Sequence, residues 1–139
     1  MSKTVLAIDP GKKKCGIAIV DNSLRYIEGL VIDKEKIIDK VEIYLEKYRI
    51  NNIVVGSGTN SGEIIEAIKK RFPIIILTKI TEQDTTMQAR KRYFDYYPPT
   101  GLLKILPESF RIPPRPYDDF AALVIAERFF RDQQGNCLD

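Results

Sequence analysis

The sequence contains no histidine and only two cysteines in 139 residues. The missing histidine removes the commonest general base, the Ser-His and Cys-His nucleophilic systems, and His-ligated zinc. Cys15 and Cys137 do not form a metal-ligand spacing, which argues against structural zinc and for free thiols in a reducing compartment. No apolar run approaches the roughly 18 to 20 residues that a membrane span requires. The first residues, Met1, Ser2, Lys3 and Thr4, lead into strand-like sequence without a signal-peptide pattern. The expectation is a cytoplasmic protein with no membrane attachment. Hydrolysis, if it occurs, has to rely on carboxylates, lysine or a carboxylate-bound metal.

What is present is an ordinary globular balance, with 44% hydrophobic and 29% charged residues. The length suits one domain with a substantial core. The net charge of +3 is only mildly basic, but the positive residues are grouped. Lys12, Lys13 and Lys14 form one cluster, residues 69–71 a second, Arg90, Lys91 and Arg92 a third, and Arg111 with Arg115 a fourth. Each cluster by itself reads as a solvated face. Their combination near candidate acids points to a polyanionic partner.

Apolar patterning places strands over 4–8 and 16–20, joined by a short loop carrying Gly11, and a third over 24–32, with Gly29 as a candidate bulge. Residues 34–48 carry helical periodicity through Ile37, Ile38, Val41, Leu45 and Tyr48. A buried strand follows over 52–56, a helix over 63–72, a strand over 74–77 and a helix over 84–96, capped by Asp84 or Thr85. Residues 97–117 are proline-rich and irregular, too long for an ordinary connection and therefore packed or functional. A last helix covers 118–131, and 133–139 reads as a loose tail. The fold class is therefore α/β in one domain, residues 1–139. A five-stranded mixed sheet, with three antiparallel strands and then parallel β-α units, carries helices on both faces.

In this topology Asp9 ends the first central strand, Glu82 follows the last strand, and Asp118 and Asp119 open the last helix. Such element ends gather at the functional crevice of an open α/β sheet. Several carboxylates in one crevice stay ionised together only beside a cation. Oxygen ligands suit Mg²⁺ or Mn²⁺. Two such ions roughly 4 Å apart can activate water and stabilise the leaving oxygen of a phosphodiester. Each acid also has a plain reading: Asp9-Pro10-Gly11 as a turn, Asp118 as a helix cap, Glu82 as a surface residue. Tyr93, Tyr96 and Tyr97 read either as core or as a stacking surface for bases.

Asp9-Pro10-Gly11 with Lys14 and Gly16 resembles the first motif of the RuvC/YqgF nucleases, which have a ribonuclease H-like fold. Glu82-Gln83-Asp84-Thr85-Thr86 followed by Ala89 resembles the family's second acidic motif. Asp118-Asp119-Phe120-Ala121-Ala122 resembles its last-helix motif, and Val54-Val55-Gly56 the strand before its substrate loop. The resemblance implies Asp9, Glu82 and Asp118 as catalytic metal ligands, with Asp119 as an adjacent ligand. It also implies two Mg²⁺ or Mn²⁺ ions and a substrate of branched DNA, such as a Holliday junction, or precursor ribosomal RNA. A homodimer is compatible with it. Lys12, Lys13, Lys14, Gly56, Arg90 and Arg92 are the candidate nucleic-acid contacts. Thr81 and Gln83 stand where the family usually has Asp and Arg. This motivates an alternative, a non-catalytic nucleic-acid-binding module with a degenerate metal site. A third reading, a relative of the actin-like and sugar-kinase ATPases, needs two such domains around a nucleotide, and this chain has room for one.

Overall fold

Val5, Leu6, Ala7 and Ile8 form an uninterrupted apolar run, the pattern of a strand covered on both faces. In the computed structural model, which describes residues 3–58, 60–80, 85–106, 112–113 and 117–138, this run is β1, Thr4–Asp9, at the centre of a five-stranded sheet. β2 (Lys14–Asp21) and β3 (Tyr26–Asp33) continue from it as an antiparallel meander. β4 (Asn52–Gly56) pairs with β1 in parallel, and β5 (Ile76–Ile80) pairs with β4 in parallel. The spatial order is β3-β2-β1-β4-β5. The expected mixed sheet is present, and its two edge strands are the less buried ones.

Side chains alternate across a strand, and the alternation divides the core in two. Leu6, Ile8, Ile17, Ile19, Ile53 and Val55 meet α1 (Ile37–Lys47) and α2 (Ser61–Arg71) on one face. Ile37, Val41 and Tyr44 recur at helical spacing and form the buried stripe of α1. Val5, Ala7, Ala18, Val20 and Val54 face the other way, against α3 (Thr85–Tyr96) and α5 (Asp118–Leu138). α5 is apolar nearly all round from Phe120 to Ala126, because the sheet covers one side and α3 the other. Ala121, Ala122 and Ala126 let its backbone approach the sheet closely. Full burial of a side chain such as Leu123 contributes about 1.5–3 kcal/mol.

Four local expectations differ from the structure. The last strand lies at Ile76–Ile80 and not over 74–77. Pro73 has no N–H to give a ladder, the chain still turns through a hydrogen bond from the Ile75 amide to the Phe72 carbonyl, and Ile74 is 95% exposed. The β-bulge is at Ile27 and not at Gly29: Ile19 pairs with Glu28 but Val20 with Tyr26. Leu102–Ile105, inside the proline-rich stretch, forms a short helix, α4. The last helix runs on to Leu138 where a loose tail was expected. Apolar periodicity ends near Phe130, but the helical backbone continues past it. Among the described residues no helix is long and apolar enough to cross a membrane.

Candidate active site

β1, β4 and β5 run parallel, so their carboxyl ends lie on one edge of the sheet. Asp9 is the last residue of β1 and lies opposite Gly16 of β2. Strand alternation puts Asp9 on the same face as Val5 and Ala7, the face covered by α5. Gly16 is where that helix touches the sheet. A Cβ built on Gly16 would lie 1.8 Å from the Asp118 carbonyl oxygen and 2.7 Å from the Asp119 amide nitrogen. Only glycine admits this approach. It places the first turn of α5 against the residue paired with Asp9, although 109 positions separate the two acids in sequence.

Asp118 is a helix residue here rather than a cap. The Tyr117 carbonyl accepts the first amide bonds of α5, from Phe120 at 3.0 Å and Ala121 at 3.2 Å. The half-buried Asp118 carboxyl has a raised pKa, first because burial penalises its charged form and then because Asp119 is negative, with Lys14 acting in the opposite sense. Cys15 reports the same local field. Burial raises its thiol pKa most, and the charges of Asp9 and Asp118 raise it further, against the Gly11 backbone hydrogen bond and Lys34. Negative charge is therefore concentrated where Asp9, Gly16 and Asp118 meet.

Asp119 lies differently. It is 3% exposed, and its carboxylate accepts a 2.9 Å hydrogen bond from the Tyr26 hydroxyl on β3. Glu82 lies outside the described residues. Ile80, two positions earlier, ends β5 beside Gly56, and the Ser57 amide donates to its carbonyl at 2.8 Å, on the same sheet edge as Asp9. Among the described residues no group of three or more Cys, Asp or Glu side chains gathers as a metal site. Two members of the expected trio, Asp9 and Asp118, are brought together. Their oxygen-only donors suit a hard divalent cation.

The basic candidates separate into two groups. Lys12 and Lys13 lie between β1 and β2 and Lys14 opens β2; all three are exposed, close after Asp9. Arg90 donates to the Tyr117 hydroxyl at 2.9 Å, next to Asp118. Arg92 is instead held by both oxygens of Glu127 at 3.0 Å and by Asp95 at 3.4 Å. This geometry gives it the role of fastening α3 to α5. Tyr93 is buried in the core, whereas Tyr96 and Tyr97 are half-exposed and pack one side against Phe120, so the core option holds for Tyr93 alone. Tyr26 went unidentified in sequence, where nothing marks a lone tyrosine on an edge strand. An apolar groove of about 540 Å³, lined by Leu45, Phe72, Ile74 and Ile76 among others, lies at the opposite, amino end of the parallel strands.

The chain resembles known proteins in sequence and in fold. The chain is 31% identical over 101 residues to a protein of Chlorobium phaeobacteroides (strain BS1) named as a candidate pre-16S rRNA nuclease, a match covering 64% of this chain and 70% of that one. Its fold matches the Thermus thermophilus RuvC structure with a TM-score of 0.57 at 16% identity over 97% of both chains. T. thermophilus RuvC in complex with a Holliday junction substrate matches with a TM-score of 0.58 at 19% identity over 96% of both. These structural likenesses identify the ribonuclease H-like fold. The family model for RuvX, Holliday junction resolvase, matches residues 3–99, and the chain belongs to that family.

Proposed function

We propose that this protein is a divalent-metal-dependent endonuclease that hydrolyses phosphodiester bonds in structured nucleic acid, in one domain spanning residues 1–139. The observation that carries this reading is the convergence of Asp9 and Asp118 across Gly16 at the carboxyl end of β1. Family membership supports it. Asp9 and Asp118, with Glu82 from the segment after β5, are the proposed ligands of Mg²⁺ or Mn²⁺. Bound there, a pair of such ions supplies charge neutralisation and a water acidified for attack at phosphorus. The protein's own residues orient and hold. β1 and α5 are rigid elements and fix the two carboxylates. Lys12, Lys13 and Lys14 attract and seat the phosphodiester backbone beside them. Gly56, buried at the end of β4, adds no side chain to this edge of the sheet. Arg90 on α3, bonded to the Tyr117 hydroxyl just before α5, is a further proposed contact to that backbone.

The substrate is a branched or folded nucleic acid. The family description names Holliday junction resolution and the curated relative is named for precursor 16S rRNA. The test is cleavage of a synthetic four-way junction and of precursor 16S rRNA, each with Mg²⁺ or Mn²⁺, by wild type and Asp9→Asn. The expected result is metal-dependent cleavage of at least one substrate, abolished by Asp9→Asn. Undiminished cleavage by the variant refutes the site. Salt-sensitive binding without turnover assigns the chain to the binding-module reading that Thr81 and Gln83 motivate.

A further inference from the structure

Two acids stand side by side at the start of α5, yet successive residues of a helix point about 100° apart and cannot aim at one spot. Asp119 is directed at the edge strand β3, where the Tyr26 hydroxyl donates to it at 2.9 Å. The Tyr26 ring is held in place by its neighbours. Its centroid is 5.4 Å from that of Phe120 and 5.7 Å from that of Tyr96. The hydroxyl also has a dedicated space: a Cβ on Gly29 would lie 2.2 Å from it and 2.6 Å from the Ile17 carbonyl oxygen. The bulge at Ile27 sets the pairing of Tyr26 with Val20. The Tyr26 donor helps to offset the cost of burying the Asp119 carboxylate, which is nearly fully buried.

We propose that Tyr26 and Asp119 are positioning residues: their hydrogen bond fastens the first turn of α5 to β3 and thereby presents Asp118 towards Asp9. The inference rests on the metal-binding reading of Asp9 and Asp118 and assigns Asp119 a part that differs from ligation. Gly16 fixes how close the helix lies to β2. Packing between the sheet and α3 sets the general orientation of α5, and the Tyr26-Asp119 bond pins the rotation of its first turn. A carboxylate pair has to be held within roughly 0.5 Å of its working geometry, so loss of this bond is expressed as weaker metal binding. Supporting hydrogen bonds around metal sites typically account for about 10- to 100-fold in affinity.

The test is the Mn²⁺ affinity of the full chain, measured as free Mn²⁺ by electron paramagnetic resonance, without nucleic acid or turnover. Wild type, Asp9→Asn, Asp118→Asn, Tyr26→Phe and Asp119→Asn are compared. Tyr26→Phe keeps the ring and removes only the donor, and is expected to bind Mn²⁺ about tenfold more weakly. Ile53→Val, a core change in β4 far from the bond, lowers the unfolding midpoint and leaves Mn²⁺ affinity unchanged, which separates positioning from general stability. Asp119→Asn retains an oxygen acceptor for Tyr26 and is expected to stay within about threefold of wild type, a loss under 1 kcal/mol. If Asp9→Asn binds Mn²⁺ as wild type does, the metal reading itself fails. If Asp9→Asn loses binding but Tyr26→Phe stays within about threefold of wild type, positioning fails alone. If Asp119→Asn loses as much affinity as Asp118→Asn, Asp119 is a ligand and the inference is overturned.

Discussion

Gly16→Ala is the sharpest perturbation the structure offers. The added methyl would lie 1.8 Å from the Asp118 carbonyl oxygen and 2.1 Å from its carbon. All three nearest atoms belong to backbone, so no flexible side chain can yield. Ordinary contact begins at 3.4 Å, and the start of α5 has to retreat by roughly 1.5 Å to reach it. β2 cannot give way easily, because Gly16 is hydrogen-bonded into a ladder between β1 and β3. Overpacking of this kind costs about 1–3 kcal/mol. For a chain of this length that corresponds to a midpoint lowered by about 4–12 °C. The functional effect is larger, since displacements of about 1 Å at a reacting centre can cost about 100-fold in rate. The assays are thermal unfolding by circular dichroism and single-turnover cleavage of the preferred substrate. A variant that melts within about 1 °C of wild type and cleaves within about twofold of it would refute the proposed contact between α5 and the strand carrying Gly16.

Other outcomes follow from the same structure. In Gly62→Ala, also a glycine-to-alanine change, the new methyl meets nothing within 4 Å in α2; urea unfolding is expected to show a gain of about 0.5–1 kcal/mol. Arg92→Ala leaves Glu127 buried and unpaired; it is expected to cost about 2 kcal/mol, at the low side for a buried pair because Arg92 is a third exposed, while the salt dependence of nucleic-acid binding stays as in wild type. Replacing Lys12, Lys13 and Lys14 by alanine should instead reduce the log-log salt slope by about 2–3 without altering the unfolding midpoint. Glu28 has its pKa lowered by the Tyr48 hydroxyl first and by Lys47 next. Its stabilisation is present above the unfolded carboxylate pKa and is lost as pH falls through the lower folded value. Tyr48→Phe is therefore expected to move the acid-unfolding midpoint to higher pH, and an unchanged acid limb would show that the bond contributes nothing.

Much of the site is legible in the sequence, and the reasons are local. Asp9 is marked by an apolar run before it and by Pro10 and Gly11 after it, which terminate a strand whatever surrounds them. The meander follows from short links, and α1 from Ile37, Val41 and Tyr44 on one face. Errors arise where a hydrophobic residue is not buried or where the constraint is not periodic. Ile74 suggests strand but stands in solvent. Gly29 suggests a bulge, yet its lack of a side chain serves the Tyr26 hydroxyl. Arg92 belongs to a basic cluster in sequence and to an acidic pair in space.

The sequence by itself determined the element order apart from α4, the mixed sheet with helices on both faces, and the presence of carboxylates at element ends. These are consequences of side-chain period, turn chemistry and chain connectivity, which act over a few residues. Only the tertiary structure decided which acids meet and what each one faces. Asp118 and Asp119 are equivalent as letters. The approach of α5 to Gly16 and the hydroxyl of Tyr26 leave one half-buried over the strand partner of Asp9 and the other nearly fully buried against β3. That distinction depends on packing across a sequence separation of 93 positions, a distance over which no local pattern in the chain carries information.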